Sequence, residues 1–344
     1  MNKSAYIITF TPYFKNILKA ELTDLDKSVY FDKDISDSIA LINSKKSFSK
    51  VFDLYKKNTP IFVKHIMPVM RTGKITGTLE SDRDILLNGI REIVEMAKGS
   101  KFSVQCRIVD ANLSYSSKDL EVYIGNMYFN EGYIPSFSDK EILNEDIFVI
   151  SVLINKFDYY IGFSKSSDNL NFQSDEHRIC SRTGREISRA ENKLKEALAV
   201  FKMELRKDGS ALDLGASPGG WTKVLVDYGY KVTSVDPGML DISLQDNPNI
   251  THLKCKIEDL KFKESFDLIV NDMNIDPQIT GDIMNSLSEA LKEKGYAIVT
   301  LKLPIRPRES VKEATKILNM KYDVLKIRSL FHNRQEVTAL LRKK

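Results

Sequence analysis

The sequence predicts a doubly wound α/β sheet in the second half of the chain, preceded by an α+β region. Three observations carry this. From Gly184 onward, apolar strands and helical patterns alternate in units of about 20 to 30 residues, the texture of a parallel sheet with crossover helices. Before that, strands and helices follow one another with a hairpin among them. Between the two halves, Ser164–Arg182 (SKSSDNLNFQSDEHRICSR) is polar and poor in large aliphatics, as a surface connector is. At 344 residues and 42% hydrophobic content the chain can bury two ordinary cores, whereas one core of this size is unusual.

Taken in order, Tyr6–Phe10 reads as a strand, and Pro12 opens a helix carrying Phe14, Ile17, Leu18 and Leu22 on one face. Leu79–Met96 is a long amphipathic helix, Phe102–Ile108 a strand and Ser116–Phe129 a helix. Ile147–Ile154 with Phe157–Phe163 reads as a hairpin. In the second half, a helix carries Ile187, Ala190, Leu194, Ala197, Leu198, Phe201 and Leu205. The strands expected after it are Ala211–Leu214, Lys231–Val235, His252–Cys255, Phe266–Asn271 and Tyr296–Leu301. The tail offers two more, Lys321–Ser329 and Glu336–Arg342, too close together for a crossover helix and so antiparallel.

Composition narrows the function classes. Cys106, Cys180 and Cys255 are far apart with no CxxC or His/Cys cluster, which supports neither a disulfide framework nor a metal site. No run of about 18 apolar residues occurs, and the opening MNKSAYIITFTPYF has only a short apolar stretch. The expectation is a cytoplasmic chain with no membrane partner. A formal charge of +4 is too mild by itself to indicate nucleic acid. Its distribution says more: His177–Lys195 holds six Lys/Arg against two acids, and Lys302, Arg306 and Arg308 form a second basic cluster beside two prolines. A solvated charged face is the plain alternative for either.

Ala211–Thr222 (ALDLGASPGGWT) combines a buried strand, a glycine turn and a helix start. Such a turn lets backbone approach a ligand closely, and the N–H groups at the helix start attract anions. Its spacing is G-x-x-x-G-G, not the G-x-G-x-x-G that wraps a dinucleotide pyrophosphate. A ligand with a carboxylate fits better. Asp236 ends the next strand, 23 residues after Asp213, where a carboxylate can hold ribose hydroxyls. Asp259 follows the third strand and could accept from an adenine amino group, while Asp213 could pair with a cationic amine. Amino acid, ribose and base are the parts of S-adenosylmethionine. Each aspartate alone also reads as an ordinary turn or cap residue.

The run DLGASPGGWT resembles the first motif of the FtsJ-like ribose 2′-O-methyltransferases. The resemblance runs from about Ser188 to the C-terminus and is closest to large-subunit rRNA methyltransferase M-type proteins, through Leu301-Lys-Leu-Pro304 and Arg334-Gln-Glu-Val-Thr338. It implies a Rossmann-like class I methyltransferase domain over residues 183–344, with Asp213, Gly215, Ser217, Pro218, Gly219, Gly220, Trp221, Asp236, Asp259 and Asp272 about the cofactor. Ser217 departs from the family's pattern. Phe102–Ile108, Tyr115–Gly125 and Phe148–Gly162 look like a THUMP domain behind a ferredoxin-like module. On that resemblance the chain divides into a ferredoxin-like module at 1–60, a THUMP-like RNA-binding domain at 61–165 and a linker at 166–182.

The family uses a Lys-Asp-Lys-Glu tetrad, which the resemblance carries onto Lys193 in Ser188-Arg-Ala-Glu-Asn-Lys-Leu194, Asp272 in Val270-Asn-Asp-Met273, Lys302 and Glu336. A lysine directly after the apolar strand Ala297–Leu301, at the ligand-binding end of a sheet, is unusual for a merely solvated charge. The implied activity is S-adenosylmethionine-dependent 2′-O-methylation of RNA, with large-subunit rRNA as the partner and tRNA as the alternative. A base N-methyltransferase of the amino-methylating kind carries an NPPY-like segment where this chain has Asn271-Asp-Met-Asn274. A non-catalytic RNA-binding relic would be expected to have lost tetrad residues.

Overall fold

The apolar alternation that opens the chain becomes strand β1 (Ser4–Phe10), buried on both faces from Tyr6 onward. In the computed structural model, residues 4–134, 147–170, 186–257, 260, 262–263 and 265–344 are described. The chain forms two compact units, residues 1–175 and 176–344. The linker expected at 166–182 lies outside the described residues from 171 onward.

In the first unit, Pro12 opens a short 3-10 turn that runs into α1 (Lys15–Leu25), as its fixed φ and missing N–H favour. Then come β2 (Tyr30–Ser36), β3 (Ile39–Ser44), α2 (Phe48–Lys57) and β4 (Val63–Pro68). These strands form an antiparallel sheet in the order β2-β3-β1-β4. Strand β4, which follows the module boundary expected at residue 60, pairs with β1 from Phe10–Val63 to Tyr6–Pro68. The second sheet combines β5 (Arg71–Lys74), β6 (Phe102–Val109), β7 (Phe148–Asn155) and β8 (Asp158–Lys165) in the order β5-β8-β7-β6. Only β6 and β7 run parallel. Helices α3 (Leu79–Ala97) and α4 (Ser117–Met127) bury Leu86, Ile90, Leu120 and Ile124 against it.

The second unit is a seven-stranded sheet. Its strands are β9 (Ser210–Leu214), β10 (Lys231–Val235), β11 (Ile250–Leu253), β12 (Phe266–Asn271), β13 (Leu291–Lys302), β14 (Tyr322–Arg328) and β15 (Glu336–Lys343). Their order is β11-β10-β9-β12-β13-β15-β14. The first five are parallel and β15 is antiparallel to both of its neighbours. The chain winds outward from β9 through β11 and then returns to place β12 on its other side, so the switch point lies between β9 and β12.

Helices α5 (Ala190–Val200) and α6 (Gly220–Asp227) pack Leu194, Ala197, Trp221 and Val224 onto Ala211, Val232, Val270, Ile298 and Leu340. The alternate residues Ile269, Ala297, Val299 and Leu341 are fully buried as well, so both faces are covered, as a parallel sheet requires. Helices α7 (Pro277–Ser286) and α8 (Pro307–Leu318) complete the unit, with Ile317 packed over Gly281.

Candidate functional site

Strand direction decides what shares an edge of this sheet. The carboxyl ends of β9, β10, β12 and β13 lie together, and the antiparallel β15 begins at that same edge, with Glu336 directly opposite Lys302. Asp272 follows β12, and Lys193 sits in the first half of α5. The four side chains close a ring. Lys193 Nζ lies 2.8 Å from Asp272 Oδ1 and 2.7 Å from Glu336 Oε1. Lys302 Nζ lies 3.0 Å from Asp272 Oδ1 and 2.6 Å from Glu336 Oε2. Each carboxylate thus bridges both ammonium groups, and the charges alternate and cancel.

The ring is largely withdrawn from water, with side-chain exposures of 10% to 17%. A charge so placed is stable only when paired and hydrogen-bonded. Burial disfavours the charged form of Lys302, but Asp272 and Glu336 outweigh it and hold its pKa above the ordinary lysine value. Burial likewise acts to raise the pKa of Glu336, and Lys193 and Lys302 overcome it and leave it below the usual glutamate range. The resting ring therefore contains a protonated Lys302 and an ionised Glu336.

On the neighbouring strands lies the glycine turn. Gly215 and Gly219 have φ of +73° and +112°, the left-handed region that an L side chain adopts only with strain. A Cβ on Gly215 would also stand 2.7 Å from the Met273 side chain, and one on Gly219 would stand 2.4 Å from Leu244. The turn between Gly215 and α6 is bound to Asp236, whose carboxylate accepts from the Ser217 N–H at 3.2 Å and the Gly238 N–H at 2.6 Å. The Ser217 hydroxyl donates to the Met239 carbonyl. Each oxygen of Asp236 accepts one of these N–H groups and keeps a lone pair for a further donor.

The side chains of two residues grouped with the cofactor on sequence alone are buried and hydrogen-bonded within the protein. Trp221 is buried in the core between α5 and the sheet, and its Nε1–H donates to the Ala190 carbonyl at 2.7 Å. Asp213 is 1% exposed and accepts from the Thr222 hydroxyl at 2.6 Å, which in turn meets Ser234. Burial, reinforced by Asp272 and opposed by the Thr222 donors, pushes the Asp213 carboxyl up to about 7. Both burials share a cause: strand β9 and helix α6 are interior elements, so side chains on their inward faces pack into the unit's interior. Gly220 is a packing residue too, since a Cβ there would meet Ser188 Oγ at 2.3 Å. Asp259 lies outside the described residues, as do residues 177–185 of the basic stretch 177–195.

Sequence reasoning missed Glu196 and Asn333. Both are buried, and a glutamate on the apolar face of a helix was the available signal. Among the described residues there is no group of three or more His, Cys, Asp and Glu arranged to hold a metal. None of the described helices is long and apolar enough to cross a membrane.

Residues 187–320 match the family described as FtsJ-like methyltransferase. The chain is 36% identical over 172 residues to the ribosomal RNA large subunit methyltransferase M of Pseudomonas entomophila, covering 45% of this chain and 48% of that protein. It is 32% identical over 226 residues to the protein of the same name from Psychromonas ingrahamii, covering 60% of each. An uncharacterised protein of Methanocaldococcus jannaschii is 33% identical over 168 residues, covering 46% of this chain and 47% of the relative. The chain thus spans about half the length of most of the curated relatives it matches.

Proposed function

We propose that this chain, whose residues 187–320 belong to the FtsJ-like methyltransferase family, is an S-adenosylmethionine-dependent RNA ribose 2′-O-methyltransferase acting on large-subunit rRNA. The observation that carries the reading is the closed Lys193–Asp272–Lys302–Glu336 ring at the carboxyl edge of the sheet. The relatives named for large-subunit rRNA support the substrate.

The residues of the turn fit the cofactor. Asp236 keeps a free lone pair on each oxygen, which suits two ribose hydroxyls. Backbone N–H groups at the start of α6, beyond the left-handed Gly219, suit a carboxylate. Asp213 and Thr222 brace that turn from below. When bound, S-adenosylmethionine supplies a methyl group already made electrophilic by its sulfonium.

What remains for the chain is to orient a ribose hydroxyl and remove its proton. Two of the three N–H groups of the Lys302 ammonium serve Asp272 and Glu336, and the third can hold the ribose oxygen. After loss of its proton, the same nitrogen can accept the hydroxyl proton. Lys193 holds the two carboxylates from the far side of the ring. Alignment of this kind contributes up to about 7 to 11 kcal/mol and a positioned base about 10²- to 10⁴-fold.

We assign RNA recognition to the first unit, on the resemblance of its strand, helix and hairpin segments to a THUMP module. Phosphate contacts by that unit would make affinity fall steeply with salt.

The test is to incubate the protein with methyl-labelled S-adenosylmethionine and large-subunit rRNA and then hydrolyse the RNA in alkali. A 2′-O-methyl blocks cleavage at its own nucleotide, so label in alkali-resistant dinucleotides supports the reading. Label in mononucleotides points to base methylation and sinks it.

A further inference from the structure

Glu196 is 0% exposed, yet its carboxylate belongs to none of the groups that form the ring. It sits on α5 three residues after Lys193, on the same side of the helix. Burying a carboxylate is costly unless donors surround it. Three such contacts come from one loop, the segment joining β14 to β15. Phe331 N–H donates at 2.7 Å to one oxygen and His332 N–H at 3.0 Å to the other. His332 Nδ1 lies 2.8 Å from that second oxygen, within hydrogen-bond distance.

The same loop delivers Glu336. Asn333 is buried within it: its Oδ1 accepts from the Leu330 N–H at 2.8 Å and the Thr338 hydroxyl at 3.2 Å. Its Nδ2 donates to Glu336 Oε1 at 3.5 Å, the oxygen that also faces Lys193. Helix α5 therefore holds Glu336 twice, directly through Lys193 and through Glu196 and the loop. Resting on the proposed methyl transfer, we infer that Glu196 is a positioning residue: it clamps the 329–335 loop onto α5 so that Glu336 meets both lysines. Its partner His332 is the side-chain half of the clamp.

A clamp that acts through Glu336 loses its effect once the Glu336 carboxylate is gone, whereas a residue that only stabilises the fold does not. The experiment is a double-mutant cycle on the full chain, with Glu196→Gln and Glu336→Gln read by single-turnover methyl transfer under saturating cofactor and RNA. Glu196→Gln alone is expected to slow transfer by about 10- to 100-fold, the usual effect of a small misplacement of a reacting group. Its affinity for S-adenosylmethionine stays at the wild-type value. In the Glu336→Gln background the same change costs less than about twofold. Equal losses in both backgrounds overturn the inference.

His332→Ala keeps the two backbone bonds and serves if Glu196→Gln fails to fold. It is expected to slow transfer severalfold, again only when Glu336 is present. Hydrogen exchange at the Phe331 and His332 amides, which needs no catalysis, should quicken in Glu196→Gln; unchanged exchange overturns the clamp. A wild-type chain that transfers no methyl group to RNA refutes the functional reading and this inference with it. An active wild type with additive losses refutes only the inference.

Discussion

Lys302 and Glu336 are direct partners on adjacent antiparallel strands, and their side chains close to 2.6 Å. The pairing register fixes this contact, and Asp272 and Lys193 extend it into a ring of alternating charge. Four charges held by strand ends and one helix leave the Lys302 nitrogen little freedom, which is what in-line alignment in the proposed reaction requires.

The pH dependence follows from the raised pKa of Lys302. The form able to take a proton is a minor one at neutral pH, and each unit of pH raises it about tenfold. Single-turnover rates are expected to climb with a logarithmic slope near one between about pH 6 and 9, with no plateau in that interval. A plateau within that interval contradicts the assignment.

Asp213 makes a prediction about stability. Its pKa is about 7 in the folded chain against an ordinary 3.8. Below the lower value it is protonated in both states and contributes nothing. Between the two values the unfolded chain ionises while the folded one keeps its proton, so stability falls as pH rises, and above about 7 the loss is constant. Asp213→Asn, which can still accept from Thr222, is therefore expected to melt above wild type at pH 8 by several degrees, at roughly 2–4 °C per kcal/mol. The gap should close toward pH 4. Thermal melts of the cofactor-free protein across that range check it, and a gap independent of pH contradicts it.

Gly219→Ala introduces a side chain at φ +112° and against Leu244. It is expected to cost about 1 to 3 kcal/mol of stability and to weaken S-adenosylmethionine binding, since the helix start moves with the turn. Calorimetric titration together with a thermal melt reads both, and normal affinity would mean that the turn is not the cofactor's seat.

Asp236→Ala removes the acceptor for two backbone N–H groups as well as the candidate ribose contact. Affinity for S-adenosylmethionine is expected to fall by about tenfold or more, the worth of a hydrogen bond to a charged group. Calorimetric titration at equal pH and salt reads it directly, and wild-type affinity would remove Asp236 from the site.

Legibility in the sequence tracked how much of a residue's neighbourhood is local. The parallel strands β9, β10 and β12 are short apolar runs and were readable to the residue or nearly so. Strand β2 was missed because YFDKDIS lies at a sheet edge with most of its residues exposed and shows no alternation. Strand β13 starts at Leu291, earlier than expected, because Lys292, Glu293 and Lys294 hide a polar strand beginning. The four ring residues came from matching short motifs, but their closure depends on β15 running antiparallel between β13 and β14, which pairing alone decides. Glu196 was hidden for the same reason, its donors lying about 135 residues away in the chain. The burial of the Trp221 side chain was not legible, because a motif position does not say which way a side chain points.

The most direct test is single-turnover methyl transfer by Lys302→Ala with RNA and S-adenosylmethionine both saturating. The rate is expected to fall by at least about 10²-fold while cofactor affinity barely changes, because the turn and Asp236 lie on other strands. Lys302→Arg is expected to fail as well, since a guanidinium keeps its proton. An unchanged rate in Lys302→Ala would reduce the ring to a structural ion-pair cluster and contradict the account.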